Sequence, residues 1–131
     1  MKRAIVAIAI VAAAGALVLR SLDNKDSDPA LAVVLPDLST TAAAGETLFS
    51  KNCSTCHGEN ATGTDNGPPL IHKYYEPNHH GDAAFYVAVT RGVRAHHWSY
   101  GNMPPVEGLN EDQIGQIVAY VREVQRANGI N

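Results

Sequence analysis

Cys53-Ser54-Thr55-Cys56-His57, CSTCH, holds the only two cysteines of the 131-residue chain, with a histidine directly behind the second. Three chemistries use such a spacing: a redox thiol pair, a metal clip and a cofactor attachment site. The residues on either side have to discriminate between them. A thioredoxin-like pair needs a βαβ context, whereas no long β-alternation and no internal repeat occur here. A zinc clip needs two further Cys or His ligands at fixed spacing. A disulfide across two intervening residues would close a very small, strained loop.

Upstream, AAAGETLFSKN has a helical pattern from Ala42, with Leu48, Phe49 and Asn52-Cys53 near one face, so the cysteines are expected at the end of a helix. Downstream, residues 58–80 are rich in Gly, Pro, Asn and Thr and read as loop. A short helix is predicted from about Asp82 to Arg91, with Asp82 as cap and Phe85, Val89 and Val93 at helical spacing. The clearest helix is the last. Asn110 can cap it and Gln113 sits at the capping-box position, while Glu111 and Asp112 lie where the helix dipole favours anions. Ile114, Ile117, Val118, Val121 and Val124 make one apolar face, Arg122 and Arg126 lie toward the cation-favouring end, and Gly129 supplies a stop.

On a helical turn, C-x-x-C-H puts two thiols where they can add to the two vinyl groups of a haem, and the next residue is an imidazole able to reach the iron. This reading leaves neither cysteine over and uses the histidine, so attachment of haem c through Cys53, Cys56 and His57 is expected.

The chain opens MKRAIVAIAIVAAAGALVLR, in which Lys2 and Arg3 precede sixteen uncharged residues, 4–19. This is the layout of an export signal or a signal anchor. Sixteen helical residues span roughly 24 Å at about 1.5 Å each, short of a ~30 Å hydrocarbon core unless Arg20 snorkels. Ala14-Gly15-Ala16 offers a cleavage pattern, but Leu17-Val18-Leu19 keeps the segment apolar beyond it, which favours a retained anchor. The basic N-terminus against Asp23, Asp26 and Asp28 orients the remainder toward the periplasm. The expected organisation is an anchor over 1–20, a linker over 21–41 interrupted by Pro29 and Pro36, and one small domain over 42–131. If the first segment is cleaved, the domain is soluble in the periplasm.

Over residues 42–127 the chain resembles a class I, monohaem cytochrome c of the membrane-anchored bacterial type. Gly45 and Phe49 match the family's N-terminal helix and Ala119-Tyr120 its C-terminal helix, two helices that cross closely in that family. Residues 1–41 have no counterpart in its small soluble members. The resemblance implies an all-α fold of three main helices and loops around one covalent haem. It also implies that the GPPL loop brings the carbonyl of Pro68 to the axial histidine, fixing the ring. Met103, in YGNMPP, matches the family's M-P loop and is implied as the sixth ligand; Trp98, five residues earlier, is implied as a hydrogen-bond donor to a haem propionate. A His/Met pair favours ferrous iron and suits an electron carrier.

Bis-histidine ligation by His96 or His97, and an open sixth position, stay as alternatives. The doubled pairs His79-His80 and His96-His97 depart from the common pattern. They read as surface, hydrogen-bonded or propionate-neighbouring groups, or as ligands for copper or zinc, which imidazole suits.

Residues 38–131 carry six Lys or Arg against nine Asp or Glu, so neither a basic stripe for nucleic acid nor a lysine ring for docking is expected. The resulting expectation is a non-enzymatic single-electron carrier between periplasmic or membrane redox proteins. The alternatives are a fixed cytochrome subunit of a larger membrane oxidoreductase, and a haem protein that binds a gas or peroxide.

Overall fold

The computed structural model describes residues 33–131. The expected anchor over 1–20 and the larger part of the expected linker lie outside the described residues. Within them the chain forms α1 (Thr40–Asn52), the single turn α2 (Ser54–His57), α3 (Asp82–Arg91) and α4 (Glu111–Ala127). Two 3-10 turns, Glu59–Ala61 and Lys73–Tyr75, lie in the long segment between α2 and α3. No strand forms among the described residues, only isolated antiparallel bridges at Thr64–Gly67 and Val93–Met103. None of the described helices is long and apolar enough to cross a membrane.

The helix ends follow from local chemistry. Ser39 caps α1 by accepting the Ala42 N–H at 3.2 Å, which starts the helix before the expected Ala42. At α4 the capping box forms in full: Asn110 Oδ1 accepts from Gln113 N–H at 2.9 Å and Gln113 Oε1 accepts from Asn110 N–H at 3.0 Å. Asp82 does not cap α3. Gly81 holds that position and Asp82 is the first helical residue, because its carboxylate is taken by Arg122, Nε to Oδ1 2.8 Å.

The apolar stripe of α4 packs on α1, burying Ala42, Phe49, Ile117, Tyr120, Val121 and Val124. The helices approach so closely at Gly45 that a Cβ there would overlap the backbone carbonyl of Gln116. Beside that contact the Phe49 and Tyr120 rings pack 5.4 Å apart, tilted by 52°. Val89, Ile114 and Val118 form a second apolar cluster joining α3 to α4.

Arg122 differs from the expectation of a cation at the helix end. It is only 6 % exposed, because its guanidinium donates to Asp82, to the carbonyls of Tyr75 and His80, and to Gln125 Oε1. Its carbon atom Cζ also lies 4.8 Å from the centre of the Phe85 ring. Gln125 is fully buried and donates to the carbonyls of Leu70 and Tyr75, at 2.8 and 3.2 Å. Residues 33–39 run along the same unit, with Val34 exchanging two hydrogen bonds with the Asn128 side chain and Ser39 bound by Glu123.

Candidate functional site

Helix α1 ends at Cys53, whose N–H still donates to Phe49, and the chain re-enters a helical turn at Ser54. That turn carries Cys56 and His57. Burial pushes the Cys53 thiol up to about 11, with the neighbouring Cys56 a smaller contribution in the same direction.

His57 Nδ1 lies 2.9 Å from the Pro68 carbonyl. A carbonyl only accepts, so Nδ1 carries the proton and Nε2 keeps its lone pair. Burial lowers the His57 pKa, the Pro68 bond acting more weakly the other way, so the ring is neutral near pH 7. Thr64 Oγ1 donates to the Cys56 carbonyl at 2.7 Å, tying the loop to the cysteine turn.

A cavity of ≈ 630 Å³ opens between these elements. Cys53, His57, Pro68, Trp98 and Met103 all line it, together with apolar groups including Phe49, Leu70, Val89, Val93 and Ile117. Cys56 is exposed and stands outside that lining. Met103 is positioned by its backbone, which exchanges two 2.9 Å hydrogen bonds with Val93. Gly92, with φ 74°, makes the turn from α3 into this bridge, and a Cβ there would lie 2.5 Å from the Met103 carbonyl.

A family model described as cytochrome c matches residues 42–125, well over half of the chain. The chain belongs to the cytochrome c family. No curated protein matches it.

Cytochromes c carry haem c, covalently bound and containing iron, and the domain is typical of haem-based electron transfer. The side chains here fit that group. The cavity walls are apolar, as a porphyrin face requires, and its donors are a neutral imidazole and a thioether. The buried Trp98 Nε1–H, which lies near the Tyr75 hydroxyl without a well-formed hydrogen bond to it, is a donor suited to an anionic propionate.

Besides His57, the histidines His80, His96 and His97 also line the cytochrome cavity, while His79 stands just outside the lining. His72 packs edge-on against Trp98, centroids 5.0 Å apart.

Two residues organise the site in ways the sequence does not announce: Arg122, expected only as a cation toward the helix end, and Gln125, which together tether residues 70–80 to α4. Gln125 carried a local signal, a polar residue four positions after Val121 on an otherwise apolar face. Arg122 carried none, since its partners Tyr75, His80 and Asp82 are 40 or more positions away.

Proposed function

We propose that this cytochrome c is a single-electron carrier held at the periplasmic face of the inner membrane, its one haem attached through Cys53 and Cys56 and ligated by His57 and Met103. The observation that carries the reading is the convergence on one cavity of His57, oriented by Pro68, with Met103 and Trp98. When bound, the haem supplies a ferric/ferrous couple, and thioether ligation favours the ferrous side.

The chain's own residues do the rest. Pro68 holds the ring so that Nε2 is the free nitrogen, and the Val93–Met103 bridge fixes the backbone that presents the thioether. Two fixed ligands leave no open coordination position, and this separates a carrier from a gas- or peroxide-binding protein. Trp98 would donate to a haem propionate, stabilising a charge held beside apolar walls.

The tether rests on the basic start and uncharged run of residues 2–19. Cleavage within that run would instead give a soluble periplasmic carrier. Val87 and Tyr100 are both exposed and both line the cavity, so an apolar contact surface lies where the haem edge is accessible. With six basic against nine acidic residues over 38–131, docking to donor and acceptor proteins depends little on salt.

The test is the optical spectrum of the full-length holoprotein in membrane and soluble fractions. The ferric form is expected in the membrane fraction, with the long-wavelength methionine–iron charge-transfer band. Met103→Ala is expected to lose the band and to make the ferrous protein reactive to carbon monoxide. Absence of the band in the parent protein, or rapid and complete carbon monoxide binding at neutral pH, would overturn the ligand assignment. Recovery of the parent in the soluble fraction alone would overturn the tether.

A further inference from the structure

Two histidine pairs far apart in sequence meet in space. His79 Nε2 and His97 Nε2 are 3.2 Å apart, and one nitrogen from each of His79, His80 and His97 lies within 4.8 Å of the others. Two imidazoles sharing a tetrahedral ion at about 2.0–2.1 Å from each nitrogen would have those nitrogens about 3.3 Å apart. The His79–His97 separation, which is also that of a hydrogen bond between the rings, matches the co-ligand spacing, and His80 would have to close on them from within 4.8 Å.

The tautomers agree with this arrangement. His80 Nδ1 faces the Tyr74 carbonyl, which only accepts, so Nδ1 carries a proton and Nε2 is the nitrogen left to meet a ligand. An imidazole whose second nitrogen donates to a carbonyl is the usual form of a metal-bound histidine. The Tyr74 ring stacks on His97 at 4.7 Å and restricts that imidazole. Arg122 donates to the His80 carbonyl, so the backbone bearing one of the three rings is tied to α4.

We infer that His79, His80 and His97 form a binding site for one divalent transition-metal ion of the zinc and copper class, distinct from the haem iron. Imidazole-only ligation selects such borderline ions over magnesium or calcium, which take oxygen ligands. His79 is exposed, so the fourth position is open to solvent. The ion would staple the segment after the second 3-10 turn to the segment that carries Trp98 and leads to Met103. It thus closes one edge of the cavity by a link independent of the haem.

The test uses Zn²⁺ alone, because it is redox-silent toward the haem. It is titrated calorimetrically into the full-length ferric holoprotein. One equivalent is expected to bind and to raise the thermal midpoint, as any ligand selective for the folded state must. The variant His79→Ala, at the one of the three histidines that does not line the haem cavity, is expected to keep the haem spectrum and to bind zinc about 100-fold more weakly or worse, since even loss of a supporting group costs about 10–100-fold. Zinc K-edge absorption on the parent protein, which needs no variant, is expected to show three imidazole nitrogens at about 2.0–2.1 Å. The inference is overturned by binding of less than one equivalent, by uptake undiminished in His79→Ala, by an unchanged thermal midpoint, or by a zinc environment with fewer than three imidazoles.

Discussion

The two sides of α4 are built differently. Toward α1 it meets backbone with backbone: Gly45 lies against the Gln116 carbonyl, with Phe49 and Tyr120 filling the space beside them. Toward residues 70–82 it reaches out with two polar side chains, Arg122 and Gln125, which hold carbonyls at Leu70, Tyr75 and His80. The first contact is steric and has no slack. The second is a set of directed hydrogen bonds that positions irregular chain around a cavity, where side-chain packing alone could not satisfy the backbone. The helix crossing therefore provides the frame, and the polar tethers place the loops that complete the site.

The strongest way to break both sides together is to prevent haem attachment with Cys53→Ala and Cys56→Ala. Without the haem, a cavity of ≈ 630 Å³ walled by core side chains such as Phe49, Leu70, Ile117 and Val121 loses the group that would fill it, a large defect for a domain whose whole stability is typically about 5–15 kcal/mol. The exported double variant is expected to lack a cooperative thermal transition by circular dichroism. A well-folded apoprotein would contradict this.

Breaking only the steric side comes next. Gly45→Ala must push α1 off α4, and a loss of about 3 kcal/mol is expected from overpacking that only backbone movement can relieve. Denaturant unfolding of the holoprotein measures it, and a loss below about 1 kcal/mol would show that the crossing is looser than described.

Breaking only the polar side should cost somewhat less. Arg122→Met takes the donor from the His80 carbonyl and from buried Gln125 Oε1, while the Tyr75 carbonyl keeps Gln125 Nε2, and a loss of about 2–3 kcal/mol is expected. Asp82→Asn removes the charge from the same network, but the Asp82 side chain is 65 % exposed, so under about 1 kcal/mol is expected. Equal losses in the two variants would mean that the ion pair, rather than the carbonyls, is what Arg122 is there to satisfy.

The smallest effect lies at Glu123, which accepts from the Ser39 N–H and hydroxyl at 3.0 and 2.8 Å. The backbone bond first, then the hydroxyl bond, lowers its pKa below the ordinary carboxylate value. The ionised form is thus favoured in the folded state. Its contribution is present above the unfolded pKa and is lost as pH falls through the lower, folded one. Parent and Glu123→Gln should differ slightly in thermal midpoint near pH 7 and converge in acid. A difference that persists unchanged to low pH would assign the effect to packing.

The legibility of these features in the sequence follows the distance over which each is determined. The capping box at Asn110 and Gln113 and the five-residue apolar face of α4 depend on neighbours within one or two turns, and both form as read. Asp82 was read as a cap because its local position allowed it; a guanidinium forty positions later took its carboxylate, and Gly81 became the cap. Arg122 looked like a cation at a helix end because nothing near it in sequence indicated burial. Pro68 was legible only through the family resemblance, and the structure puts its carbonyl against His57 Nδ1 as that resemblance implied.

By itself the sequence determined the helices, the attachment motif and the chemical identity of the candidate ligands, because helix caps, hydrophobic period and C-x-x-C-H spacing are all short-range properties of the chain. Only the tertiary structure decided which of those groups share a cavity, that Arg122 is buried, and that His79 and His97, eighteen positions apart, come within hydrogen-bond distance. Those outcomes depend on how irregular segments close over α4. Their closure is governed by long-range carbonyl acceptors, and every residue type exposes the same carbonyl, so no local pattern marks which ones will be used.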